Sequence, residues 1–340
     1  MSRDYSRVTI RDVAREASVS VTTVSRALNS KSEISHDKRR RVIETASRLG
    51  YAPSSVARAL VSGRTKTIGV VVTDNASPVY ADALGGIQDV ATHAGFGILL
   101  CNSADRQDEA LRCLEMLRSK HVDGVILAPV QTDQRDVTSL EQWRSPYVFL
   151  LRHFPELSHV DYVITDNVKG GLLVTNHLLD LGHRRIGHIG GPSHTSTGQG
   201  RLAGYQQALA ARSVPLAADL VLHAPYTIAG GFGTALSLLD RPNRPSAIFA
   251  ATDLQAIGVM RAARQLGLRI PDDLALAGGD DIELAEFLEV PLTTFHQPTR
   301  QIGAQAAEVL TAKLSGSLQG VQQHTFAPTL VVRKSSGSPH

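Results

Sequence analysis

"TIRDVAREASVSVTTVSRALN", residues 9–29, decides how the first part of the chain is read. Thr9 is a good helix N-cap, and Asp12 three residues on makes a capping box. Ile10, Val13, Ala14 and Ala17 form one apolar stripe. "SVS" then turns the chain, and Ser20 is placed to cap a second helix that buries Val24, Ala27 and Leu28. The opposite face of that second helix carries Thr22, Ser25, Arg26 and Asn29, at i, i+3, i+4 and i+7. A solvated face usually mixes Glu with Lys. This one has short hydrogen-bonding side chains, one Arg and no acid.

A third helix follows from Ser35, with Val42, Ile43, Ala46 and Leu49 as its apolar positions and Gly50 at C′. Three short helices with a tight first turn make a helix-turn-helix module, whose second helix enters the major groove. On that reading Val21 and Thr22 face bases, Val21 being suited to a thymine methyl, and Arg26 is suited to the O6/N7 edge of guanine. Thr23, Ser25 and Asn29 suit phosphates. A protein-docking helix is the alternative use of the same face. Charge favours the duplex: residues 1–60 hold 12 Lys/Arg and 6 Asp/Glu, a balance of +6, and the remaining residues hold 23 and 26, a balance of −3.

"YAPSSVARALVSGRTK" (51–66) has Pro53, a capping Ser54, barely two turns of helical pattern and a closing Gly63. Val56, Ala57 and Leu60 have no local core, so such a helix forms only when something packs on it. A plain linker is the alternative.

From Thr67 apolar strands alternate with helical stretches: "TIGVVVTD", "FGILLCNS", "VDGVILAPV", "PYVFLLRH" and "VDYVITDN", then from about Gly170 "RRIGHIGGP", "PSAIFAATD" and "LALAGGDD". This is a rough duplication of βα units. It predicts a small all-α helix-turn-helix domain followed by an α/β two-lobed body of two doubly wound parallel sheets. The length of 340 residues and 42% hydrophobic content fit a globular chain of two or three domains. Ligands sit at the carboxyl ends of such strands, here in the cleft between the halves. The polar candidates are Asp74, Asn75, Asp105, Arg152, Asp166, Asn167, Asp253, Asp280 and Asp281, a set suited to a polyhydroxylated ligand.

Several classes are excluded. Cys101 and Cys113 form neither a disulfide framework nor a zinc spacing. His177, His183 and His188 span a helix, a turn and a strand, so no metal is expected. Gly198, Gly200 and Gly204 approach a dinucleotide fingerprint, but "PSHTST" separates them from their strand, so no cofactor is expected. No glycine-flanked Ser anchors a nucleophilic triad, so an enzyme is not expected. No apolar run reaches membrane-spanning length and no signal core is seen, so the expected location is cytoplasmic, nucleoid-associated when DNA is bound.

The sequence resembles the lactose-repressor family of bacterial transcription regulators. The residues at 9–29 carry the resemblance, with "SRLGYAPSSVARALVSGRTKTIGVVV", "HLLDLGHRRIGHIGG", "RLAGYQQAL", "FAATDLQAIGVMRAARQLGLRIPDDLALAGGDD", "PLTTFHQP" and "LVVRKSS", in family order over nearly the whole chain. The resemblance implies a hinge helix at 54–63 that folds on DNA and adds Ala57 to the DNA-contacting residues. It implies a Leu60 wedge in the minor groove and a Tyr51 that contacts the backbone. Thr9 and Ser20 join Val21, Thr22, Thr23, Ser25, Arg26 and Asn29 in the DNA set. It implies Arg201 as the effector-binding arginine, Asp280 as the sugar-binding aspartate, Tyr226 as a stacking aromatic and Gln297 at the crossover. Thr73, Ser77, Asp105, Arg152 and Thr252 complete the expected lining.

Two departures touch the pocket rim: Gly279 stands where an aromatic is usual, and Leu151 where an Asp often precedes Arg152. Expected boundaries are 1–53 for the DNA-binding domain, 54–63 for the hinge and 64–335 for the effector domain. The N-subdomain takes 66–164 with 298–323, and the C-subdomain 165–294 with 324–333. The expected function is a repressor binding a pseudo-palindromic operator as a homodimer, modulated by a sugar or sugar derivative. Without a leucine-heptad tail, a tetramer is not expected. A solute carrier with the same body is the rival, and it would have no use for residues 1–63.

Overall fold

The computed structural model describes residues 8–28, 34–51, 63–131 and 134–337. The chain divides into two compact units, Met1–Thr65 and Lys66–His340. Asn29, Ala57 and Leu60, and with them most of the expected hinge, lie outside the described residues.

The first unit contains α1 (Ile10–Glu16), α2 (Val21–Leu28) and α3 (His36–Arg48). Val13, Ala14, Ala17, Val24, Ala27, Val42 and Ala46 form its core. The Asp12 carboxylate accepts from the Thr9 N–H at 2.9 Å and from the Thr9 hydroxyl at 2.7 Å, which starts α1. These bonds hold the Asp12 carboxyl below its usual range. Ser18 takes a left-handed φ of 53° at the turn, and Ser20 Oγ accepts from the Thr23 N–H at 3.1 Å to start α2. Ile43 departs from expectation: it is 47% exposed. The buried stripe of α3 runs Val42, Thr45, Ala46, and Ile43 lies about 100° around the helix from Val42.

In the second unit one lobe is a six-stranded parallel sheet ordered β11-β5-β4-β3-β1-β2. Its strands are β1 (Thr67–Val72), β2 (Gly97–Asn102), β3 (Gly124–Leu127), β4 (Tyr147–Leu150), β5 (Tyr162–Thr165) and β11 (Gln323–Phe326). The other lobe has β6 (Ile186–Gly190), β7 (Val221–His223), β8 (Ala247–Ala250) and β9 (Ala275–Ala277) in the parallel order β7-β6-β8-β9. A small antiparallel pair, β10 (Thr294–His296) with β12 (Thr329–Val331), adjoins β9 through isolated bridges. Both sheets therefore reverse strand order beside their first strand, so the duplication extends to topology. That reversal opens a crevice at the carboxyl ends.

Alternate residues of each buried strand face opposite layers. Ile68, Val70 and Val72 of β1 face α4 (Pro78–His93) and α12 (Thr299–Ser315), and Val71 faces α5 (Gln107–Ser119). In the second lobe Ile248 and Ala250 face α9 (Ile228–Leu239) and α10 (Asp253–Gln265). Phe249 faces α7 (Asn167–Asp180) and α8 (Ser196–Ala211). Both α9 and α12 go beyond the elements read from sequence, as do the short α6 (Arg135–Trp143) and α11 (Leu284–Phe287). β11 stays in the first sheet as far as Phe326, so the chain crosses between the lobes beyond the expected 323/324 boundary.

Candidate functional site

The carboxyl ends of the two sheets enclose a cavity of about 520 Å³. All nine effector candidates line it: Thr73, Ser77, Asp105, Arg152, Arg201, Tyr226, Thr252, Asp280 and Gln297. They reach it from loops after β1, β2, β4, β7, β8, β9 and β10, and from α8.

Arg201 is the most constrained of them. Its side chain is 2% exposed, and Nη2 lies 2.8 Å from Asp280 Oδ1, which is itself 5% exposed. Nε donates to Asn167 Oδ1 at 3.0 Å, Nη1 donates to the Ala251 carbonyl, and the guanidinium stacks 4.7 Å over the Phe295 ring. Gln297 Nε2 donates to the same Asp280 oxygen at 2.8 Å, while Gln297 Oε1 accepts from Thr165 Oγ1 at 2.8 Å. Thr165 and Gln297 stand on two of the segments that cross between lobes, so this bond ties the interlobe crossover to the cavity wall. Burial raises the Asp280 carboxyl, and Arg201 opposes that rise.

Arg152 faces from the first lobe. Its Nη1 is 2.6 Å from Asp105 Oδ1, and the guanidinium sits 5.9 Å from the Tyr226 ring centre. The Tyr226 hydroxyl lies 3.1 Å from Thr195 Oγ1. That ring occupies the space a side chain at Gly191 would fill: a Cβ there would stand 2.0 Å from the Tyr226 hydroxyl. Gly279, where the resemblance implies an aromatic, admits none. Its Cβ would stand 2.5 Å from Phe295 and 2.6 Å from the Ala251 carbonyl. Phe295, arriving from β10, takes the ground beside Arg201 instead.

Of the other strand-end candidates, Asp74 and Asn167 also line the cavity. Asp166 caps α7, accepting from the Lys169 N–H at 2.9 Å. Asn75 pairs with Asn102, and Asp281 with Arg333 and His296. Asp253 lies buried, accepting from Thr294 Oγ1 at 2.6 Å and from the Ile282 N–H at 2.9 Å. Burial first, and then the neighbouring Asp280 charge, push it well above the usual carboxylate range. Asp253 is scaffold, not lining. Sequence reasoning missed Tyr80, Asn102, Pro192 and Thr197 as lining residues. Asn102 ends β2 and was legible by the same strand-end rule. The others sit on α4, α8 and a loop, where no local pattern marks them.

On the first unit, Val21 is 41% exposed, and Thr22 and Arg26 are also exposed. Thr23 and Ser25 are half-buried, and the first turn of α2 holds no acid. Thr9 and Ser20 are engaged as caps, and half-buried Tyr51 packs on the core. Val21 is thus an exposed valine at the start of an otherwise polar helix face. Among the described residues, no group of three or more His, Cys, Asp or Glu is placed to hold a metal, and no helix is long and apolar enough to cross a membrane.

Residues 9–54 match the family described as bacterial regulatory proteins, lacI family, and residues 175–336 match a periplasmic binding protein-like domain. The HTH-type transcriptional repressor PurR of Aliivibrio salmonicida (strain LFI1238) is 32% identical over 96% of this chain and 98% of its own length. The chain belongs to the lacI family of bacterial regulatory proteins. The ribose operon repressor of Haemophilus influenzae (strain ATCC 51907 / DSM 11121 / KW20 / Rd) is 35% identical, over 96% of this chain and 98% of its own. Among solved structures, the lac repressor dimer bound to operator and the anti-inducer ONPF superposes with a TM-score of 0.87 at 28% identity, covering 98% of this chain and all of that one. A transcriptional regulator CelR–cellobiose complex gives 0.76 at 33% identity, over 97% of this chain and all of that one. As a lacI-family member the protein is a DNA-binding transcriptional regulator, not an enzyme.

Proposed function

We propose that the protein is a cytoplasmic repressor that grips a pseudo-palindromic operator as a homodimer and is switched by a neutral sugar or sugar derivative in the interlobe cavity. The observation that carries the ligand class is the state of the two cavity arginines. Arg201 and Arg152 are each already paired with a carboxylate, Asp280 and Asp105. With Asp74 also on the wall, no cationic charge is left over for an anion. Paired carboxylate and guanidinium edges suit vicinal hydroxyls, and Tyr226, Tyr80 and Leu151 offer apolar surface to a ring face. The ribose repressor and the cellobiose complex among the relatives agree with this class.

Residues 1–53 carry DNA recognition in this reading, with Val21, Thr22 and Arg26 at the bases. Residues 64–335 carry the effector site and dimerisation. The effector acts through its different affinity for two arrangements of the lobes, a coupling on the order of 1–3 kcal/mol. A thermal-shift panel tests the ligand class, because a bound ligand raises stability by mass action. D-ribose, D-glucose and cellobiose form one arm, and gluconate, glucose 6-phosphate and hypoxanthine the other. A rise confined to the neutral sugars is expected; a rise only with the acids, the phosphate or the purine overturns the class. Selection of duplexes from a random library tests the DNA arm. Arg26→Ala should cost about 1–3 kcal/mol and relax one base position of the selected site. An unchanged site removes Arg26 from base reading.

A further inference from the structure

Beyond the cavity wall, the lobes also meet at the N-terminus of α8. The first N–H groups of a helix have no partner within it. Thr195 Oγ1 takes up the Gly198 N–H at 3.1 Å, from the same lobe. The Ser196 N–H, at the first position of α8, is instead taken by the other lobe: it donates to Gln131 Oε1 at 2.7 Å. Ser196 Oγ accepts from the His153 N–H at 3.3 Å, and Thr197 Oγ1 donates to the Leu151 carbonyl at 3.4 Å. Gln131 Nε2 donates back to the His153 carbonyl, so one amide joins the β3–α6 loop, the segment after β4 and the tip of α8. Gln131 is 9% exposed.

Both cavity arginines hang from this junction. Arg152 stands between Leu151 and His153, and Arg201 lies one helical turn beyond Thr197 on α8. We propose that Gln131 is a cap supplied in trans, from one lobe to the first turn of the other lobe's helix, and that this cap sets the spacing of Arg152 and Arg201. Gln131 is a positioning residue in this account. It rests on the reading of the cavity as the effector site only for its effect on ligand, since the lobe junction itself is read without one.

The experiment uses the full chain and two variants that remove the bond from opposite ends. Gln131→Met keeps length and loses the amide. Ser196→Pro removes the N–H at a helix position where proline is tolerated, and Thr195, with φ −92° and ψ 138°, already has the extended backbone that precedes proline. Hydrogen exchange of residues 196–205 is followed in the ligand-free protein, and thermal shift with D-ribose and cellobiose as probes in parallel.

Each variant should speed exchange at the start of α8 by about five-fold, the loss of one cap, while α7 and α10 keep their protection. Each variant also loses one bond of its own, Gln131 Nε2 to the His153 carbonyl or the His153 N–H to Ser196 Oγ, so the double variant should fall short of the sum of the two single ones. Gln131→Glu, which keeps the acceptor for the Ser196 N–H but loses the donor to the His153 carbonyl, should exchange more slowly at the start of α8 than Gln131→Met. Any probe that stabilises the parent should bind each variant about five-fold more weakly. Unchanged exchange in both variants, additive effects in the double variant, or a loss of protection spread evenly over the lobe each overturns the proposal. Should neither probe stabilise the parent protein, the ligand class fails while the exchange arm still decides the cap.

Discussion

The two walls of the cavity each present an arginine paired with an aspartate, and they are built differently. In the second lobe Arg201 and Asp280 are 2% and 5% exposed, and Asn167, Gln297, the Ala251 carbonyl and the Phe295 ring hold the pair. In the first lobe Arg152 is as deeply buried, but its partner Asp105 is 31% exposed and lies in a loop where Ala104 and Asp105 both take left-handed φ. One wall buries its pair among four partners, and the other leaves its carboxylate open to water. A ligand that reads the first and draws in the second converts binding energy into lobe movement, which is what a switch requires.

The largest test of that contrast is truncation of each arginine. Arg201→Ala leaves Asp280 buried without its counter-charge and should cost about 3–5 kcal/mol of stability. Arg152→Ala leaves an aspartate that water can reach and should cost about 1 kcal/mol. Chemical denaturation measures both, and equal losses would erase the distinction between walls.

Acid should find the second lobe next. Burial pulls His188 down to about 3, with its ring stacked on Tyr205. A base held neutral in the fold contributes stability that is complete above its unfolded value near 6.5. That contribution is lost at about 1.4 kcal/mol per pH unit as pH falls from there towards 3. His188→Phe, which keeps the stacked ring, should flatten the stability profile across that window. A profile identical to the parent's would show that His188 is not the group responsible.

The opposite slope is expected beneath Asp280. Asp253 is raised by burial and by Asp280, so ionising it opposes folding. That penalty is absent below about pH 4 and grows as pH rises through the elevated value. Asp253→Asn should remove this downward slope of stability with rising pH while keeping an acceptor for Thr294. A slope unchanged by the substitution would mean that the hydrogen bonds from Thr294 and Ile282 hold Asp253 ionised throughout.

The same contrast explains what the sequence could and could not convey. The first unit rests on contacts within about forty residues, and its caps at Thr9 and Ser20 are local chemistry, so its reading needed no fold. Ile43 failed because a run of apolar residues in a basic helix does not reveal which way the stripe turns, and Thr45 took the buried position. In the body, strand ends marked Asp105, Arg152 and Asp280 correctly as cavity residues. The same rule over-reached at Asp253 and Asp281, whose partners, Thr294 and Arg333, lie 41 and 52 residues away. Gln131 carried no signal at all: its role exists only once β3 and α8 meet.

The central claim is that occupancy of the cavity changes the grip of residues 1–53 on DNA. The direct measurement is fluorescence anisotropy of a library-selected duplex against the full chain, at fixed salt, with and without the neutral sugar that most raises its melting temperature. The account predicts a change in dissociation constant of about 5- to 150-fold. It also predicts that Arg201→Met, at temperatures where that variant is folded, still binds the duplex but no longer responds. A dissociation constant that stays the same at saturating sugar would contradict the account.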